Sequence, residues 1–414
     1  MELYEMNREI EEHVLLVGVQ SRAEDDTEKS LEELGDLAET AGASVAGIVI
    51  QKRENIHPGT YIGKGKIEEV RELLYETQAT GIICDDELSP AQMNNLQDEL
   101  DCKVMDRTLL ILDIFARHAP TREGKIQVEL AQLRYRSARL TGLGNSLSRL
   151  GGGIGTRGPG EKKLEVDRRV IRERIGHLKR ELEEVVRHRE LLRAQRVKGN
   201  QKIVSLVGYT SVGKSAIFKR LTGADVLEDA KLFATLDTTT RGLELPGRQE
   251  ILLTDTVGFI RKLPHHLVES FKSTLEETLY ADILIHVVDV SSPQMENQMF
   301  TVYETLRDLG IKDKPVITVF NKSDLLAERR GFRDFRADCS ILASARDGEG
   351  MEEIKAAIGD VLRKQKIYIE RLFPYEKAGL IQLIRKKGEL VEEEYLPEGI
   401  AVKAYVPEDI YGKV

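Results

Sequence analysis

Cysteine is almost missing from this chain: Cys84, Cys102 and Cys339 are the only three in 414 residues. They lie far apart, without the paired spacing of a metal site. They are therefore expected to be buried thiols in a reducing cytosol, neither disulfides nor ligands. Long apolar runs are also missing. No stretch of about 18 uncharged apolar residues occurs, so no membrane span is expected. The opening Met1-Glu2-Leu3-Tyr4-Glu5 is acidic and lacks the apolar core of a signal peptide, which points to a cytoplasmic protein. What is present, 41% hydrophobic and 32% charged residues, suits a soluble globular chain with ample core. Its length suggests two to four domains.

The formal charge of -9 conceals an asymmetry. Residues 117–200 hold 21 Lys and Arg against 10 Asp and Glu, a balance of +11, which leaves -20 for the rest. A basic segment inside an acidic protein suggests a polyanionic partner such as nucleic acid. A solvated charged helix face is the plainer alternative.

Organisation follows from periodicity. Residues 12–117 alternate apolar runs (His13 to Val19, Val45 to Ile50, Gly81 to Cys84, Lys103 to Met105) with helical patterns (Glu28 to Thr40, Lys66 to Thr77, and one capped by Ser89), which predicts a small α/β domain over 1–120 with a mostly parallel sheet. Gly63-Lys64-Gly65-Lys66 fits a tight turn, with a small anion nest as the alternative. Residues 121–198 read as two helices, about 123–140 and 162–196, joined by a loop with six glycines and a proline in residues 151–160. Leu164, Ile171, Leu178, Val185 and Leu192 recur every seven residues, with Ile175 and Leu182 between them. This is a seam for pairing the second helix antiparallel to the first. Strand–helix alternation then runs over 199–364, and 365–414 reads as a small α+β module. The fold class predicted is α/β: a P-loop domain preceded by a small α/β domain and a helical hairpin, and followed by the α+β module.

Three motifs carry the chemistry. The strand Ile203 to Val207 feeds Gly208-Tyr209-Thr210-Ser211-Val212-Gly213-Lys214-Ser215, a phosphate loop G-x-x-x-x-G-K-S. Its glycines let backbone N–H groups face phosphate oxygens at a helix N-terminus, Lys214 neutralises the β and γ phosphates, and Ser215 offers a hydroxyl to Mg²⁺. A second strand ends in Asp255-Thr256-Val257-Gly258, where Asp255 is expected at Mg²⁺ and the Gly258 N–H at the γ-phosphate. A third ends in Asn321-Lys322-Ser323-Asp324. Asp324 can accept from guanine N1–H and the 2-amino group, a donor pair adenine lacks. Asn321 can bond the base edge, and Lys322 can cover its face. Ser344-Ala345-Arg346 follows a fourth strand, with the Ala345 N–H expected near guanine O6. Between the first two motifs, Phe233-Ala234-Thr235 is a switch candidate whose Thr235 could reach Mg²⁺ when the γ-phosphate is present; Thr239 is the next choice. Phe259 stands where many GTPases place a water-orienting glutamine, so slow intrinsic hydrolysis is expected.

These residues, together with Gly59 to Lys66, the loop Leu150 to Glu161, Phe233 to Asp237 and Asp255 to Ile260, make nearly the whole chain resemble the HflX family of translation-factor-like GTPases. The resemblance implies conversion of GTP to GDP with Mg²⁺, binding to the large ribosomal subunit and its rRNA, and dissociation of stalled or idle ribosomes under stress. Ser211-Val212 stands in place of the more usual Asn-Ala, Ala216 in place of Thr, and Thr238 in place of Pro. The first two remove no phosphate or metal ligand and bear on rates; the third loosens the switch segment. A monomer is expected. A nucleotide-gated regulatory module and a GTPase of ribosome assembly or RNA modification are the alternatives.

Overall fold

The computed structural model describes residues 12–22, 26–119, 121–147, 159–198, 202–223, 238–246, 249–262, 277–326, 328 and 331–413. The glycine-rich loop between the two long helices and the candidate switch residues Phe233, Ala234 and Thr235 lie outside them. The chain divides into two compact units. The first holds the residues up to His188 together with Arg261–Lys272, and the second holds the rest from Arg189 on, apart from Asp229–Asp237.

The first unit contains a four-stranded sheet in the order β2-β1-β3-β4, with β1 Glu12–Gln20, β2 Ala43–Lys52, β3 Gly81–Cys84 and β4 Lys103–Asp106. All its pairings are parallel. Helices α1 (Thr27–Thr40), α2 (Lys64–Thr77) and α3 (Pro90–Leu100) make the crossovers, and α4 (Arg107–His118) follows the last strand. That arrangement suits β1 and β3, which are nearly continuous apolar runs. Ser89 caps α3 through a reciprocal box with Gln92, as its sequence position suggests. Helix α4 was not anticipated, although the Asp106 side chain caps it through the Leu109 N–H.

The turn before α2 differs from expectation. Its left-handed residue is Tyr61, at φ +64°, and not a glycine. Gly63 is extended and donates its N–H to Gln51 Oε1 at 2.8 Å. A side chain at Gly65 would meet nothing within 4 Å. The backbone demand thus falls at 57–61, where His57 and Tyr61 exchange backbone hydrogen bonds.

Helices α5 (Arg122–Leu147) and α6 (Pro159–Lys198) form the antiparallel hairpin. Arg122 pairs with Glu181, Arg174 with Glu129, and Arg168 donates to the Leu140 carbonyl, so numbers rise on one helix as they fall on the other. Of the heptad seam, Leu178 is fully buried against Ile126 and Leu130, with Leu182 beside it. Asp106 fixes the hairpin to the sheet. Buried completely, its carboxylate accepts from the Leu88 and Leu109 N–H groups, Tyr135 Oη (2.9 Å) and Arg139 Nη2 (2.7 Å). Buried Arg107 joins Asp85 and Glu33, and Lys262, which belongs to the same unit, pairs with Asp85 and Asp86.

The second unit carries a six-stranded sheet in the order β10-β9-β8-β5-β7-β6, parallel except for the β6–β7 edge. Its strands are β5 Lys202–Gly208, β6 Thr239–Leu245, β7 Gln249–Asp255, β8 Ile283–Asp289, β9 Val316–Asn321 and β10 Cys339–Leu342. Helices α7 (Lys214–Thr222), α8 (Met295–Asp308) and α9 (Met351–Lys364) enclose its core. A three-stranded antiparallel sheet follows, with β11 Ile367–Phe373, β12 Glu389–Leu396 and β13 Gly399–Val406 in the order β11-β13-β12 and a helix at Ala378–Lys387.

All three cysteines are free thiols, as expected. Only Cys84 is buried, whereas Cys102 and Cys339 are half-buried, because each sits at the start of a strand rather than within one. Among the described residues, no helix is long and apolar enough to cross a membrane.

Candidate nucleotide site

The carboxyl ends of four parallel strands converge on the site: β5 at Gly208, β7 at Asp255, β8 at Asp289 and β9 at Asn321. A parallel sheet offers its crevice at that edge.

Two glycines of the phosphate loop are dictated by close approaches. Gly208 has φ +155°, and a Cβ there would lie 2.4 Å from the Val287 carbonyl oxygen. Gly213 has φ +93°, and a Cβ there would lie 2.3 Å from Asn321 Nδ2. Ser211 also occupies the left-handed region, at φ +57°, a conformation that asparagine adopts at lower cost. Tyr209, Thr210 and Val212 are buried and Ser211 is exposed.

Lys214 is buried, and its Nζ donates to the carbonyls of Gly208 (3.2 Å) and Tyr209 (2.7 Å). Burial lowers its pKa to about 8, against the opposing pull of Asp255. Ser215, at the start of α7, donates from Oγ to Asp255 Oδ2 at 2.7 Å. A hydroxyl and a buried carboxylate in contact form an oxygen donor set that fits a hard divalent cation.

The chain after Asp255 is bound to the phosphate loop. Thr256 donates to the Leu206 carbonyl. Thr256 and Val257 are both buried. The Phe259 N–H donates to the Gly208 carbonyl at 3.1 Å, and the Thr210 N–H to the Phe259 carbonyl at 2.9 Å. At Gly258 a Cβ would lie 2.8 Å from Thr210 Cα and 3.0 Å from Lys214 Nζ, so no larger residue fits. The Phe259 ring is 2% exposed within the main core. It is a packing residue, which explains why the position offers no group to orient water.

At the far end of the crevice, Asn321 has both side-chain ends occupied. Its Nδ2 donates to the Val212 carbonyl (2.8 Å), and its Oδ1 accepts from the Ala345 N–H (2.9 Å). The Ala345 amide therefore points at Asn321. Asp324 Oδ1 accepts from Ser344 Oγ at 2.8 Å, and Arg346 Nη1 lies 3.9 Å from Oδ2. Lys322, at φ +66°, places Nζ 2.6 Å from Asp289 Oδ2.

The structure thus brings together Lys214, Ser215, Asp255 and Gly258, and separately Asn321, Lys322, Asp324, Ser344, Ala345 and Arg346, with Asn321 linking the groups through Val212. Two further residues had escaped the sequence reading. Asp289 ends an apolar strand much as Asp255 does, a signal that was available. Arg220, whose guanidinium reaches the Ala345 and Arg346 carbonyls, had no local motif to reveal it.

Three family descriptions match the chain: "GTP-binding GTPase N-terminal" over residues 28–116, "GTP-binding GTPase Middle Region" over 118–196, and "50S ribosome-binding GTPase" over 203–322. A GTPase HflX of Lacrimispora saccharolytica is 62% identical over 413 residues, covering 100% of this chain and 97% of its own. That of Caldanaerobacter subterraneus is 51% identical over 397 residues (95% and 91%). That of Escherichia coli is 40% identical over 399 residues (95% and 93%). Among solved structures, a GTP-binding protein from Sulfolobus solfataricus in complex with GDP aligns over 85% of this chain and 99% of its own, with 24% identity and a TM-score of 0.44. With such relatives matched along nearly its whole length, the chain belongs to the HflX family of GTPases.

Proposed function

We propose that this GTPase binds the large ribosomal subunit, inserts its basic hairpin against rRNA, and uses GTP binding and hydrolysis to dissociate stalled or idle ribosomes in the cytoplasm. The observation that carries this reading is the hairpin. Its charge is +11 over residues 117–200, and Arg169, Arg172, Arg180 and Arg187 are exposed on α6. The family description over the nucleotide-binding portion, "50S ribosome-binding GTPase", supports the same partner. Arginines tracking phosphates supply affinity that falls with salt. Tyr135, the one aromatic of residues 117–200, is occupied with Asp106, so base stacking contributes little.

At the nucleotide, Gly208 to Gly213 would wrap the phosphates with backbone N–H groups, and Lys214 would exchange its two carbonyl partners for phosphate oxygens. Ser215 and Asp255, with Thr235 in the triphosphate state, would hold Mg²⁺, which when bound supplies positive charge to the phosphate oxygens. Gly258 would offer its N–H to the γ-phosphate, and Asp324 would read guanine. Phe259 supplies no water-orienting group, so turnover is slow in the free monomer and rises on the ribosome. The direct test is light scattering of intact ribosomes mixed with the protein and GTP. A GTP-dependent fall in scattering is expected. Unchanged scattering at saturating protein would reject the splitting role.

A further inference from the structure

We infer that Arg220 is a positioning residue for guanine recognition, acting through the backbone of the Ser344–Arg346 loop; this rests on the base-pocket reading above. Arg220 lies in the last turn of α7, the helix that begins at Lys214 and Ser215. Its Nε donates to the Ala345 carbonyl at 2.9 Å, and its Nη2 to the Arg346 carbonyl at 2.5 Å. A guanidinium fork is rigid and planar, so two bonds to successive carbonyls fix the direction of both peptide units.

The loop needs such a hold. Its ends are closed by its own backbone: the Ser344 N–H bonds the Glu349 carbonyl, and the Gly348 N–H bonds the Ser344 carbonyl. Between them, the Ala345 N–H is held by Asn321, and the Asp347 N–H by Ser344 Oγ. Arg220 holds two carbonyls in that stretch, those of Ala345 and Arg346. Because a peptide unit is planar and trans, fixing the Ala345 carbonyl directs the Arg346 N–H to the opposite side. The amides at 345 and 346 flank Ser344, which itself bonds Asp324. The base-reading carboxylate and the neighbouring amides are therefore set by two anchors, Asn321 from the end of β9 and Arg220 from the last turn of α7. One helix thus carries the phosphate-binding lysine at its first turn and the support of the base loop at its last.

Arg220 acts through the loop backbone, so its effect should appear only where the loop amides meet the base, at guanine O6. The test is calorimetric titration of the full chain with Mg²⁺ and GDP, IDP and 2-aminopurine riboside diphosphate. The last of these has no oxygen at position 6. Arg220→Met should weaken GDP and IDP three- to tenfold (the loss of about one charge-assisted hydrogen bond at a partly exposed site). It should leave the 2-aminopurine compound within twofold of the unmodified chain. Arg220→Lys keeps the charge but not the fork and should fall between. Equal losses for all three nucleotides, or no loss of GDP affinity, would overturn the assignment. The pocket itself is tested separately: Asp324→Asn should shift preference from GDP to XDP, and if it does not, the base-pocket reading fails rather than the role of Arg220.

Discussion

Ser215 Oγ donates to Asp255 Oδ2 at 2.7 Å. A helix N-terminus and a strand end, separated by 40 residues of chain, are thereby held at one point. Two oxygens so placed would suit a divalent cation. Ser215→Ala is expected to bind GDP like the unmodified chain in the presence of EDTA, yet to lose the tightening that millimolar Mg²⁺ produces, by about tenfold, or ~1.4 kcal/mol. Titrations with and without Mg²⁺ measure both. An intact Mg²⁺ effect would remove Ser215 from the metal site.

The buried Lys214 makes nucleotide binding depend on pH. Burial lowers its pKa to about 8 from an ordinary 10.5. The folded chain therefore holds this proton less tightly than the unfolded one, and Lys214 favours the folded state more as pH rises from 8 towards 10.5. Nucleotide affinity moves the other way. Phosphates favour the charged form, so above about pH 8 binding must take up a proton, and Kd should rise by up to about tenfold per pH unit. Calorimetry in two buffers of different ionisation enthalpy would detect that uptake. Binding independent of pH between 7.5 and 9.5 would contradict it.

His286 gives the opposite end of the pH scale a signature. It lies inside β8, its ring edge-on to Tyr303 at 5.0 Å, with Nδ1 buried and lacking a hydrogen-bond partner among the described residues. Burial lowers its pKa to about 4, with Asp334 opposing and Lys214 assisting. Its neutral form is thus the folded form. The stability it contributes is complete above about pH 6.5 and is lost as pH falls towards 4, amounting to about 3 kcal/mol. His286→Phe should flatten the acid limb of a urea-denaturation series between pH 6.5 and 4.5. An unchanged slope would show that other groups govern that limb.

Asp106 carries much of the attachment of the hairpin to the first sheet. Removing the carboxylate strands buried donors from Leu88, Leu109, Tyr135 and Arg139. Asp106→Ala should destabilise the first unit by about 3 kcal/mol or more. Arg139→Ala should cost as much, since it leaves the carboxylate buried beside one cation fewer. Hydrogen exchange along α5 would report the loosening, and protection equal to that of the unmodified chain would refute the anchor.

Local signals made much of this legible beforehand. Apolar strands ending in Gly208, Asp255 and Asn321 are written as contiguous runs, so the strands and their terminal groups could be read together. So could the Ser89 cap and the antiparallel hairpin, whose seam meets at Leu178. What escaped depended on tertiary context. Helix α4 enters on an apolar run (Leu109, Leu110, Ile111 and Leu112), which periodicity alone does not separate from a buried strand. The left-handed turn residue is Tyr61 because its buried side chain packs in the core and donates to Asp86, a reason invisible beside three nearby glycines. Arg220 acts on partners far along the chain, and no spacing rule relates it to the loop it supports, whereas Asp289 carries the mark of a strand end and only its pairing with Lys322 is hidden.

The most direct measurement is steady-state GTP turnover by the full chain, alone and with purified large ribosomal subunits, at about 50 and 200 mM salt. Slow turnover is expected alone, with a severalfold rise with subunits at low salt and a smaller rise at high salt as the arginine–phosphate contacts weaken. Turnover that ignores the subunits at both salt concentrations would rule out the ribosomal role.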